Sequence, residues 1–167
     1  AAGAGTPPGP MLAPVFEPMP LDTDGLDTDG DGIVNNDHHY VHLTAGDGFV
    51  TMADRTELYS FGFNDVTALV NAKVAEANAT ATPALKEAKL REVKPMVLSE
   101  GMLKANFAAP TQVFKEGQEV YIDLSNVGML MRPDLFDPHT VHFHGFPQAA
   151  SIFDGEPMAS VSINMGG

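Results

Sequence analysis

Cysteine is missing from the 167-residue chain. That removes disulfides, thiolate zinc sites, c-type haem attachment and cysteine nucleophiles together. Positive charge is scarce as well: nine Lys and Arg face 22 Asp and Glu, a net charge of −13. A generic nucleic-acid binder needs a basic face, so that class is excluded, and docking on an anionic membrane surface is disfavoured. No apolar run approaches the roughly 18 residues that a membrane helix requires. The acidic excess instead favours bound cations or plain solubility.

What is present points to turns and strands. Hydrophobic residues make up 44% of the chain, enough for a core, and 16 Gly with 13 Pro suit a β-rich protein better than a helical bundle. Residues 1–20 hold Pro7, Pro8, Pro10, Pro14, Pro18 and Pro20 and almost no charge, the composition of an extended arm. Its first residues, AAGAGTPPGP, resemble the start of a mature chain after cleavage at a small-residue site, so export to the periplasm, cell surface or medium is the expectation.

Phe49–Met52 and Glu57–Phe61 read as short strands, with Gly46, Gly48 and Gly62 as turn points. The character changes over residues 66–94. Val66, Leu69, Val70 and Val74 fall at helical spacing, Thr82-Pro83 is a helix start, and Pro95 is a stop. Beyond Ala109 the pattern is β again. Gln112–Lys115 leads to a turn, and Val120, Ile122 and Leu124 alternate with Tyr121 and Asp123 as a strand with one buried face. Asn126–Pro138 is a loop tipped by Met129, Leu130 and Met131. Thr140–His144 and Ser160–Asn164 read as further strands.

Residues 21–37 form an acidic repeat, with Leu21-Asp22-Thr23-Asp24-Gly25 recurring as Leu26-Asp27-Thr28-Asp29-Gly30. Carboxylates at alternate positions, with Gly permitting a tight wrap, converge oxygens on one hard cation. Calcium takes about six to eight oxygens at roughly 2.3–2.6 Å. As an EF-hand loop starting at Asp27 the run supplies Asp29, Asp31 and Asn35, but His38 stands where a bidentate Glu belongs. The segment resembles the calcium loops of thrombospondin type 3 and dockerin repeats. The expected ligands are Asp22, Asp24, Asp27, Asp29, Asp31 and Asp37. The alternative is a solvated acidic linker.

All six His fall in two clusters: His38, His39 and His42, then His139, His142 and His144. In a strand, residues two apart share a face, so His142 and His144 project together. Imidazole suits copper, zinc and iron. His139 is out of phase and suits a loop or supporting role. The first cluster is read as structural, with a further metal as the alternative. The nine Met are read as gap-fillers, with a cuprous site at Met129 and Met131 the lesser reading.

Several stretches occur together in order: Glu116–Asn126, then His139-Thr140-Val141-His142-Phe143-His144-Gly145, then Asp154-Gly155-Glu156-Pro157. Together they resemble the first cupredoxin domain of multicopper oxidases, over roughly residues 107–167 and more loosely 50–65. The resemblance implies a mainly β chain, a cupredoxin-like Greek-key sandwich that is incomplete here, spanning residues 38–167 with the helical insertion near 66–94. It implies that His142 serves a type 2 copper and His144 a type 3 copper. Asp154 would relay protons to the oxygen site. One His-x-His pair of four is present, and the type 1 Cys is not. The resemblance therefore implies a partner, the remaining part of the oxidase, as further sequence or a second chain. Dioxygen is the implied electron acceptor. Copper nitrite reductases resemble the same family but carry Asp where His142 stands, which favours the oxidase. A calcium-stabilised structural or adhesive subunit without turnover is the alternative of another class.

Overall fold

The computed structural model describes residues 15–17, 37–145, 155 and 160–167. Three strands form one sheet: β1 (His38–Thr51), β2 (Glu57–Asp65) and β3 (Glu119–Gly128), in the order β2-β1-β3. Three helices, α1 (Thr67–Asn78), α2 (Pro83–Leu90) and α3 (Val93–Gly101), lie between β2 and β3 in the chain. The mainly β character with a short helical segment is as expected. Among the described residues there is one sheet, not the two packed sheets of a sandwich.

β1 is the centre of the sheet. It pairs antiparallel with β2 from Leu43↔Asp65 to Thr51↔Glu57, and parallel with β3 from His38↔Glu119 to Gly46↔Gly128. The turn between β1 and β2 is local: the Met52 N–H donates to Thr56 O at 2.8 Å, and Asp54 Oδ1 accepts from the Thr56 N–H at 2.9 Å. A parallel return needs a long crossover, and the helical segment supplies it.

The glycines expected to be turns are inside strands instead. Gly48 lies in β1 and Gly62 in β2. A Cβ on Gly48 would overlap the backbone of Ala105, and one on Gly62 would overlap Asn106 O. The segment 104–106 crosses directly over both strands, bridging Gly48↔Lys104 and Phe63↔Asn106. Glycine in a strand marks this kind of close backbone approach as readily as it marks a turn.

α2 starts as its sequence dictates, with Thr82 Oγ1 accepting from the Leu85 N–H at 3.4 Å and Pro83 at the first helical position. Pro95, expected to stop the helix, sits in the first turn of α3. The N–H groups of a first turn have no intrahelical acceptor, so proline costs nothing there. The actual break is at Arg91-Glu92, and helix continues to Gly101, seven residues past the expected end. Val66, Val70, Val93 and Val97 bury a small core between α1 and α3, joined by Phe16, Val74 and Met96. Exposed ion pairs such as Lys73–Glu76 at 3.3 Å and Lys89–Glu76 decorate its outside. Such pairs contribute little each.

Two expected strands are not formed. Thr140–His144 and Ser160–Asn164 run irregularly, with His139↔Ile163 an isolated antiparallel bridge, and Gln112–Lys115, in the stretch whose pattern suggested β, is irregular as well. A strand persists only where a neighbour takes its backbone groups along its length, and among the described residues only the His139↔Ile163 pair does so here. The 120–124 strand does form, but its apolar side chains meet no second sheet among the described residues. Val120, Ile122 and Leu124 line an open cleft of about 420 Å³ with Val141, Phe143, Val161 and Ile163.

Candidate metal centre at His142 and His144

The path to the His pair begins on two buried polar side chains of the sheet. Asp47, in β1, is fully buried. Its Oδ2 accepts from the Tyr59 hydroxyl and from the Met131 N–H, both at 2.8 Å. Burial, with the hydrogen-bonded Asp47 carboxylate next, pushes the Tyr59 phenol up to about 12. Asn126, near the end of β3, donates from Nδ2 to Asp137 O and Ile163 O, both at 2.9 Å. Met131 and Asp137, near the two ends of the 129–138 loop, are thereby tied to the sheet.

His139 follows directly. Its N–H donates to Ile163 O at 3.1 Å, and its O accepts from the Ile163 N–H at 2.9 Å. The ring stands edge-on to Phe63, centroids 6.1 Å apart. Burial pushes its pKa below the ordinary imidazole value, with the charge of Asp137 opposing. Its Nε2 is buried with no hydrogen-bond partner among the described residues.

Three residues on, the His142 and His144 rings meet with centroids 4.5 Å apart and planes at 81°. The pair is therefore together, as the alternation argument expects, without the strand on which that argument relied. Gly155 packs against His142. A Cβ on it would lie 3.0 Å from His142 Cβ and 3.2 Å from Nδ1, and its φ of +82° is one that other residues rarely adopt. Thr140 Oγ1 donates to Gly155 O at 3.4 Å. Gly155 thus folds back onto His142. Asp154 itself lies outside the described residues.

Two adjacent imidazoles are a donor set that copper accepts, on one ion or on two neighbouring ions. Among the described residues no group of three or more His, Asp or Glu is gathered as a metal site. The pair by itself supplies two nitrogen ligands, and further ligands must come from elsewhere.

The first His cluster is dispersed over β1. His38 Nδ1 lies 2.9 Å from the Tyr40 hydroxyl and its Nε2 3.4 Å from Glu119 Oε2. His39 packs edge-on to Phe114 at 5.0 Å. His42, 5% exposed, has its Nδ1 3.3 Å from Asp123 Oδ2 and stacks near Phe16. Each ring has its own structural neighbours. Met129 is buried and Met131 is 53% exposed, which places the first in the core and the second on the surface. Of the acidic repeat, Asp22, Asp24, Asp27, Asp29 and Asp31 lie outside the described residues. Asp37 is buried at the start of β1, its O accepting from the Glu119 N–H at 2.9 Å.

Reasoning from sequence missed Asp47 and Asn126. A signal existed for each: a carboxylate between two glycines inside an apolar run, and an amide closing an alternating strand. No family model, curated protein or solved structure matches the chain. Among the described residues no helix is long and apolar enough to cross a membrane.

Proposed function

We propose that the chain is the N-terminal segment of a multicopper oxidase, contributing the His142–His144 pair to a copper cluster that reduces dioxygen to water. The observation that carries this reading is the contact of the two rings, 4.5 Å apart, with Gly155 of the Asp-Gly step packed on His142. The resemblance of residues 107–167 to a first cupredoxin domain supports it, and with it the Greek-key sandwich completed by a partner segment. Copper would supply the one-electron redox levels, and electrons would come from a metal ion or an organic reductant.

This chain's own residues hold the ligands and manage protons. A ligating imidazole is neutral at the bound nitrogen, and its other ring nitrogen donates to a carboxylate, carbonyl or water. Asp154, next to Gly155, is the proposed proton-relay group, acting through water. The acidic repeat binds calcium and pins the arm, and the protein works after export.

Copper(II) titration followed by electron paramagnetic resonance tests the reading. The wild-type chain takes up copper with nitrogen hyperfine structure, and His142→Ala loses it. In the assembled oxidase, His142→Ala abolishes oxygen reduction, and Asp154→Asn keeps the metals but slows reduction, most at high pH. Copper uptake by the chain that is indifferent to both His142→Ala and His144→Ala overturns the proposal. Calcium uptake without copper at the pair would instead support the structural-subunit reading.

A further inference from the structure

Asn126 sits where the parallel ladder slips: Ala45 pairs with Asn126, but Gly46 pairs with Gly128. It is 1% exposed. Its carboxamide uses every donor it has, Nδ2 giving one bond to Asp137 O and one to Ile163 O at 2.9 Å each. Oδ1 accepts from the Gly128 N–H at 2.9 Å. The amide orientation is set by this network, because the reverse would turn oxygen towards two carbonyls. The backbone adds two more bonds: the Asn126 N–H donates to Gly167 O at 3.2 Å, and Asn126 O accepts from the Gly166 N–H at 2.8 Å.

These bonds reach both segments that bracket the His pair. Asp137 stands two residues before His139. Ile163 closes the bridge to His139, so Ile163 O receives both the His139 N–H and Asn126 Nδ2. With no strand at Thr140–His144, regular pairing does not place the rings; the tether at Asp137 and Ile163 hydrogen-bonds the flanking segments to the sheet, beside the cleft that Val141 and Phe143 share with β3 and the packing of His139 on Phe63.

We infer that Asn126 is the positioning residue of the His142–His144 pair, its carboxamide holding the 137–139 and 163–167 segments so that the two rings meet. The consequence for copper rests on the proposed function, whereas the tether itself does not. Asn126 touches no ligand and acts through Asp137 and Ile163. Loss of a group hydrogen-bonded directly to a metal ligand costs about 10–100-fold in affinity, and Asn126, one step further removed, is expected at the lower end of that range.

The test uses the whole chain with Asn126→Ala and Asn126→Ser, beside Val97→Ala as a control that destabilises the helical core, of which Asn126 is not a member. Copper(II) affinity by competition, the copper hyperfine spectrum and contacts between the two imidazole rings by nuclear Overhauser effect are read for each. Both Asn126 variants are expected to bind copper about tenfold or more weakly, with a changed hyperfine spectrum and weakened ring contact. Val97→Ala is expected to change the melting temperature alone. Wild-type affinity and spectrum in both Asn126 variants, or equal changes in Val97→Ala, would overturn the inference. Should the wild-type chain bind no copper at the pair, the copper reading fails and the ring contact decides: lost in both Asn126 variants and kept in Val97→Ala, it supports the tether. Kept in all three, it refutes it.

Discussion

The imidazoles of His142 and His144 meet nearly edge to face at 4.5 Å, although the residues between Thr140 and His144 belong to no strand. Alternation along a strand predicts that side chains two apart share a side. Here the same outcome comes from packing: Gly155 lies against one ring, and the segment is tethered to β3 through Asp137 and Ile163.

Asp47→Ala removes the acceptor of the Tyr59 hydroxyl and the Met131 N–H. Leaving buried donors unmet costs about 1–3 kcal/mol, partly offset because Asp47 Oδ1 is itself buried with no hydrogen-bond partner among the described residues. Urea unfolding is expected to shift accordingly. The Tyr59 phenol, now near 12, should titrate closer to its ordinary value, since the carboxylate is a cause of its rise second to burial. An unchanged Tyr59 titration would show that burial alone sets it.

Gly48→Ala forces a methyl group into the backbone of Ala105, which cannot rotate away as a side chain can. Overpacking of this kind costs about 1–3 kcal/mol, and the upper end is expected here. Gly145→Ala is the comparison. Its φ is +81° with nothing within 4 Å among the described residues, so backbone strain of about 1–2 kcal/mol is the cost expected. If the two variants unfold at the same urea midpoint, the 104–106 segment does not press on the sheet.

His139 and Tyr59 set opposite limbs of the pH–stability curve. The folded pKa of His139 is below 6.5, so the unfolded chain takes up a proton first. Its contribution is complete above about pH 6.5 and is lost as pH falls through the lowered folded value. The folded pKa of Tyr59 is raised from 10.0 to about 12. Its contribution is complete below about pH 10 and is lost as pH rises towards 12. Melting temperatures across pH check both, with His139→Gln expected to flatten the acid limb and Tyr59→Phe the alkaline one. An acid limb in His139→Gln identical to that of the wild type would discard the first assignment.

Calcium titration is expected to protect the N-terminal arm from proteolysis and to raise the melting temperature, with EDTA reversing both. Asp27→Asn together with Asp29→Asn should weaken the effect by removing two carboxylate ligands. Equal protease cleavage with calcium and with EDTA would leave the acidic repeat as a linker.

Local chemistry was legible in the amino-acid sequence. Thr82-Pro83 starts α2 because a hydroxyl cap and a proline act within a few residues. Val120, Ile122 and Leu124 mark β3 because alternation needs no knowledge of the partner strand. The closeness of His142 and His144 agrees with alternation, but with no strand at Thr140–His144 it comes from packing against Gly155 and from the tether to β3 instead. Tertiary structure alone decided what depends on contacts far apart in sequence. Gly48 and Gly62 lie in strands because the 104–106 backbone crosses them, some forty to sixty residues away in the chain. Pro95 begins a helix rather than ending one because its place in the turn, not its identity, decides the cost. Thr140–His144 is irregular because strand propensity cannot supply the neighbour that takes its hydrogen bonds. Asn126 and Asp47 hold the approach to the site because burial makes each unmet polar atom costly, and only the folded chain shows which partners meet them.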